Sequence, residues 1–395
     1  MPRPAPRADV GTDACRLARK VTMDHTPTTD TCTALRAQVR ELTDAWRAAG
    51  RYTPRSDSWL RSFDLDFSKE LAARGLVAMT YPKELGGAGR THVERLAVTE
   101  ELLRAGAPVA AHWIGDRQIG PAILRHGTPE LQREIVPRIA TGDAVFCLGM
   151  SEPEAGSDLA AVRTSAVRSG DGWRINGHKI WTSQAHRATH IYLLARSEQT
   201  GNRHEGLTEF IVDMDAPGVT VTPIHDLSGE HHFNEVHFED VAVSDGRVLG
   251  TVGGAWRQVV EQLSFERGGA ERVLSSYPAL IALLDQAAQY ENDRELLAVL
   301  GALVARLAVL RRLCFDVATA MDTGQAPVQQ AAALKYLGNT FERDVIEALR
   351  RTELYREPAP DSVLGQALLA SPGFGLRGGS AEVLLSLIAR QETRS

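Results

Sequence analysis

Cysteine is scarce: Cys15, Cys32, Cys147 and Cys314 are the whole complement of a 395-residue chain, and no two form a CxxC pair. That scarcity excludes a disulfide framework and a zinc site of the usual spacing, and no metal is expected. Cys147 and Cys314 lie in apolar runs and read as core residues. No apolar run approaches the roughly 20 residues that cross a bilayer. Cations are not in excess either. The formal net charge is −6 with Lys and Arg scattered, which argues against a nucleic-acid partner. Residues 1–30 lack both periodicity and the apolar centre of a signal peptide; they read as a disordered tail, with Met23 an alternative start. A globular, cytoplasmic protein without membrane contact is the expectation.

The pattern that is present divides the chain in three. From 31 to 143 the apolar period is helical, as in "ALRAQVRELTDAWRAAG" and "VERLAVTEELLRAG", and Thr128-Pro129 reads as a cap followed by a first-turn proline. From 144 to 246 the period falls to two, in "WRINGHKIW", "HIYLLARS" and "NEVHFEDVAV". Asn176-Gly177 reads there as a two-residue hairpin turn. From 247 to 395 long helical segments return. The fold class is α+β, with clefts expected where the β region meets the helical ones.

Glu266 in "SFERGGAER" stands out. On one continuous helix, Val259, Leu263, Ala270, Val273 and Tyr277 mark an apolar stripe that contains Glu266, while Glu261 and Glu271 fall off it. An inward acid needs a cation, a hydrogen-bond network or a chemical role. Two readings stay open: a structural pair with Arg267 or Arg272, or a working carboxylate. Gly268 and Gly269 weaken a helix, which suggests that something approaches the backbone closely. In "GMSEPEAGSDLAA" (149–161), Ala155, Gly156 and Ser157 also permit close approach, although an ordinary surface turn would read the same way.

From about residue 33 onward, "YPKELGGAG", "HGTPELQREIVPRIATGDAVFCLGMSEPEAGSDLAAVRT", "INGHKIWTS", "NEVHFEDVAV" and "GGSAEVLLSLIAR" stand in an order that resembles the acyl-CoA dehydrogenase family of flavoproteins. The resemblance implies a helical N-terminal domain, a β-barrel-like middle domain and a C-terminal four-helix bundle, with FAD at their junction. It implies noncovalent FAD held by the segment from Leu148 to Ser157 (Met150 and Ser151 at the flavin ring), by Trp181, Thr182 and Ser183, and by the turn leading to Ser380 and Glu382. Ser157 also looks like a contact to acyl-CoA. Many members carry their base as the Glu of a "YEGT" stretch before the last helix, but "LRGGS" puts Gly378 there. One branch carries the base in a Glu-Arg pair on the first long C-terminal helix, which Glu266-Arg267 match. Glu266 is then the base, Arg267 a substrate contact and Gly378 a backbone donor to the thioester carbonyl.

Two family patterns are absent: "RxxFG" followed by Gln after Tyr277, and "QxxGGxG" around "ALRRTELYREPAP". Both bear on the adenosine end of FAD and on the homotetramer. Actinobacterial relatives that act on steroid side chains, branched acids or natural-product intermediates look similar here, and some are heteromeric. The resemblance implies α,β-dehydrogenation of an acyl-CoA or acyl-carrier-protein thioester, with electrons passing to an electron-transfer flavoprotein. A homodimer, a homotetramer or a heteromer with a paralogue is implied. An oxygen-using oxidase or monooxygenase and a non-catalytic partner subunit are the alternatives.

Overall fold

The computed structural model describes residues 29–286, 292–352 and 359–392. The expected tail, with Cys15 and Met23, lies outside them except at its end, where Thr29 already caps the first helix by accepting from the Cys32 N–H.

The N-terminal region consists of α1 (Asp30–Ala48), α2 (Ser58–Arg61), α3 (Leu65–Ala73), α4 (His92–Arg104), α5 (Ala110–Ile114), α6 (Gly120–His126) and α7 (Pro129–Ala140). Helix α1 buries Leu35, Val39, Leu42 and Trp46, one stripe of its surface. Thr128 caps α7 as expected, accepting from the Leu131 N–H at 3.3 Å. A π-helical turn, Gly115–Ile119, joins α5 to α6.

One sheet follows: β1 (Phe146–Gly149), β2 (Ser165–Ser169), β3 (Gly172–Lys179), β4 (His190–Arg196), β5 (Leu207–Asp213), β6 (Val219–His225), β7 (His231–Ser244) and β8 (Val248–Leu249). Its order is β6-β7-β3-β2-β4-β5-β8, with β1 parallel to β4. The path stays open, so the expected barrel is a mixed sheet. Asn176-Gly177 is not a turn. The pair lies inside β3, where the register against β7 slips between Ile175 and Gly177; a Cβ on Gly177 would meet Thr164 Oγ1 at 2.4 Å. The glycine serves close packing at a bulge, a role that a hairpin signal mimics.

The C-terminal helices are α8 (Ala255–Arg267), α9 (Glu271–Leu274), α10 (Tyr277–Gln286), α11 (Arg294–Asp322), α12 (Val328–Arg350), α13 (Val363–Phe374) and α14 (Ala381–Glu392). Helix α12 is their centre, touching α9, α11, α13 and α14. The helix expected to run through "SFERGGAER" instead stops at Arg267 and restarts at Glu271. That break resets the helical phase and turns Glu271 inward, to 3 % exposure, so its expected place off the stripe is wrong.

The two helical regions share one core. Val98 and Leu102 of α4, Leu280 of α10 and Leu307 of α11 belong to a single cluster, while Ile191, Phe210 and Val243 anchor a second cluster within the sheet. Strands β4 and β5 are buried on both faces because they lie between the two. Cys32, Cys147 and Cys314 are buried free thiols.

Candidate active site

Helix α8 crosses the junction between sheet and helices. Its Val259 and Leu263 share an apolar cluster with Met150, which brings the segment after β1 against the helix that ends in Glu266. At that end, Arg272 donates through Nη2 to Glu266 Oε1 and through Nε to the Glu266 carbonyl at 3.3 Å. Arg272 is 2 % exposed and also lies over the Trp59 ring, 4.8 Å from its centroid. The structural pair that the sequence left open therefore exists. It does not bury the acid completely: Glu266 keeps 13 % side-chain exposure and lines a cleft between the helices.

Gly378 closes over the same carboxylate. Its φ of +72° lies in the left-handed region, and a Cβ there would sit 3.3 Å from Glu266 Oε1. A side chain projecting from position 378 would thus start beside the carboxylate that Glu266 supplies. Arg267, 7 % exposed, donates to the Gly378 carbonyl at 2.9 Å. Burial pulls the Arg267 pKa down while Glu266 pulls it up. Arg377 fastens the other side of the turn to Asp57 at 2.6 Å and to Ser275 at 3.0 Å. Held from both sides, the Gly378 N–H donates to no acceptor among the described residues.

A second group lies on the sheet side. Lys179, fully buried, donates to Glu152 at 2.8 Å and to the Met150 carbonyl at 3.1 Å, and the Ile180 N–H donates to the Ser151 carbonyl at 3.0 Å. These bonds tie the Met150-Ser151 segment to the chain entering Trp181. Burial pulls Lys179 down to about 8 against the raising effect of Glu152. Burial also pushes Glu152 upward, but Lys179 and the Thr164 and Arg163 contacts outweigh it and hold the carboxyl below its usual value. Neither charge was singled out in the sequence, although plain alternation from the buried Trp173 and Ile175 of β3 reaches Lys179 as an inward position.

Trp181 is 56 % exposed with φ +61°, packed edge-on to Phe233 at 5.6 Å. It is not a core tryptophan. A left-handed, bulky residue costs of order 1–3 kcal/mol and persists only where its surroundings enforce it. Here the Thr182 N–H donates to the Asn234 carbonyl at 3.0 Å, and Asn234 returns a bond to the Thr182 carbonyl at 2.9 Å. Thr182 Oγ1 is buried without a partner among the described residues. An aromatic face turned outward beside an unanswered hydroxyl fits a flat, heteroatom-rich ring such as a flavin. Ser151 and Ser183 are half-buried, as is Leu148, whereas Ser157 is exposed. Ser380 and Glu382 open α14; the helix's own N–H and the Ser380 hydroxyl lower the Glu382 pKa.

Glu266 thus stands with Arg267 and Gly378, and Met150-Ser151 stands with Trp181-Thr182. Beyond Glu266, Gly268 and Gly269, the cleft is walled by residues that the sequence did not assign to a site. Helix α4 contributes His92, Arg95, Leu96 and Thr99, α11 contributes Cys314, Ala318 and Met321, the π turn contributes Arg117 and Gln118, and Glu271 adds a second carboxylate.

The acyl-CoA dehydrogenase N-terminal domain matches residues 29–143 and the middle domain matches 147–241. The acyl-CoA dehydrogenase IpdE1 of Mycobacterium tuberculosis is 43 % identical over 202 residues, 51 % of this chain and 52 % of its own length. The chain thus matches about half the length of that relative. The acyl-CoA dehydrogenase FadE26 of the same organism is 31 % identical over 313 residues, 75 % of this chain and 78 % of its own length. The solved ChsE4-ChsE5 complex from Mycobacterium tuberculosis superposes with a TM-score of 0.76 at 26 % identity, covering 100 % of this chain and 99 % of that one. Among the described residues no helix is long and apolar enough to cross a membrane. The chain belongs to the acyl-CoA dehydrogenase family, whose members are FAD-dependent oxidoreductases of CH–CH donors.

Proposed function

We propose that this chain catalyses α,β-dehydrogenation of an acyl thioester, with Glu266 as the base. The observation that carries the proposal is the place of the Glu266 carboxylate, on the cleft wall and 3.3 Å from where a Gly378 side chain would begin. Glu266 takes the proton from Cα. Arg272 holds the carboxylate in place for that transfer, and the Gly378 N–H, without an acceptor among the described residues, offers a donor to the thioester oxygen as negative charge develops there. Arg267 acts on the substrate through the turn, by fixing the Gly378 carbonyl and with it the donor's direction. Bound FAD, when present, supplies the acceptor for the Cβ hydride, so that a Cα=Cβ double bond remains. Trp181, Thr182, Met150 and Ser151 would hold its ring, and Ser380 and Glu382 would hold a more distant part of the cofactor.

Acyl-CoA is the proposed substrate form and an electron-transfer flavoprotein the proposed acceptor. Assembly with a second copy or a paralogue is supported by Val309 (67 % exposed) on α11 and Leu337 (44 %) on α12, apolar side chains that a monomer leaves in water, and by the likeness to one chain of a two-component complex. The test is anaerobic titration of FAD-loaded protein, with and without a candidate partner chain, using acyl-CoA thioesters. Bleaching of the flavin supports the reading. Failure to take up FAD under every condition would overturn it in favour of an assembly role.

A further inference from the structure

The Arg95 side chain faces the cleft and forms no hydrogen bond or ion pair with any described residue; only its backbone is bonded, the N–H donating to the Thr91 carbonyl and the carbonyl accepting from the Thr99 hydroxyl. Its stripe-mates His92, Leu96 and Thr99 stand at helical spacing along the same wall of α4. The surroundings are electropositive. Arg117, on the facing π turn, is engaged by Asp116 at 2.9 Å and donates to Thr99 at 2.7 Å, so its charge is present but committed. Burial, then Arg95, Arg117 and Arg125 in that order, pull His92 down to about 3, so its imidazole is neutral. Burial and Arg117 pull Arg95 down to about 10, against Asp116 and Glu271, and it stays a cation. Glu271 lies close enough to act on Arg95 but not within ion-pair distance.

A withdrawn carboxylate can escape the cost of burial by taking a proton; a guanidinium at neutral pH cannot. Arg95 is half-buried; an acyl chain filling the cleft would remove its remaining access to water and leave it needing an acceptor, to which its planar fork offers paired donors. A plain alkyl chain in this cleft would leave Arg95 without one. We infer that the substrate's acyl group carries an oxygen function remote from the thioester, a carboxylate or a ketone, which Arg95 binds. This rests on the cleft of Glu266 being the acyl site. It narrows the substrate from acyl thioesters in general to oxygenated ones, and the cost of an unpaired Arg95 discriminates against simple fatty acyl chains.

The test uses the FAD-loaded full chain, with its partner if one is required, and three matched probes: hexanoyl-CoA, 5-oxohexanoyl-CoA and the mono-CoA thioester of adipic acid. Binding is measured by calorimetry, independently of flavin reduction. Both oxygenated probes should bind at least about tenfold more tightly than hexanoyl-CoA. Arg95→Met should weaken them by about 30- to 1,000-fold and leave hexanoyl-CoA nearly unchanged. Arg95→Lys, which keeps the charge and loses the fork, should show a smaller loss of the same selectivity, and it serves if the Met variant does not fold. Equal binding of the three probes, or an equal loss for all three in Arg95→Met, overturns the inference. If the oxygenated probes bind selectively but none bleaches the flavin, the dehydrogenase reading fails and the oxygen subsite stands.

Discussion

Two arginines on one cleft make opposite bargains. Arg272 is 2 % exposed and paired with Glu266 before any ligand arrives, whereas the Arg95 side chain lines the same space with no partner among the described residues. The Glu266 end is therefore preorganised, with its carboxylate already paired in the free protein. The Arg95 end is incomplete without a ligand. The difference separates what the fold supplies from what the substrate is asked to bring, and it can be broken by removing each charge in turn.

The largest expected effect is at Arg272. Arg272→Met leaves the Glu266 carboxylate without its cation and should cost about 3–5 kcal/mol of folding stability, the usual result of breaking a buried pair. Arg95→Met should lose no more than about 0.5 kcal/mol, because no described contact is removed. Urea denaturation of the two variants reads both. Similar losses would mean that Arg95 has a structural partner in solution and that the contrast is false.

The next effect belongs to Glu209, an acid in a neighbouring cavity that shares Gln118 and Phe265 with the cleft. It is fully buried with no cation paired to it among the described residues; Gln258 donates to Oε2 at 2.8 Å, and the Tyr192 and Gln258 hydrogen bonds only partly offset its burial. Burial pushes its pKa up to about 7. Between its unfolded value of 4.5 and that raised value the folded state binds more protons than the unfolded one, so this group's contribution to stability declines as pH rises through the window. Glu209→Gln should have little effect at pH 4 and gain up to about 3 kcal/mol relative to the parent at pH 8. A pH-independent difference between parent and variant would show that Glu209 is ionised and paired.

Gly378→Ala is expected to be smaller, about 1–2 kcal/mol, from the left-handed φ of +72° and the crowding of Glu266. Thermal denaturation checks it, and an unchanged melting temperature would mean that the turn relaxes. The effect bears on the paired end alone, so Arg95-dependent selectivity should survive.

The same contrast explains what the sequence could reveal. Glu266 was legible because an acid interrupts an apolar stripe and because Gly378 replaces an expected acid. Arg95 was not, since a polar residue on an amphipathic helix reads as solvated, and only the α11 and Phe265–Glu271 walls turn that face inward. Glu271 was misplaced because the helix restarts after Gly268-Gly269, which a continuous period of 3.6 cannot register. Asn176-Gly177 failed for a related reason: glycine marks close approach as well as turns, and Thr164 is far away in the local pattern. The helical and strand regions themselves were legible from period alone. The joining of both helical regions into one core was not, because no local signal records which apolar faces meet.

The central claim is that Glu266 is the base. The direct measurement is the rate of flavin reduction by saturating acyl-CoA in stopped flow, comparing the parent with Glu266→Gln, both loaded with FAD and of matched thermal stability. Glutamine keeps the volume and the acceptance of a bond from Arg272 but removes the basicity. The account predicts a rate lower by about 10²–10⁴-fold with substrate affinity retained. A Glu266→Gln protein that reduces its flavin as fast as the parent would contradict it and leave Glu266 a structural partner of Arg272.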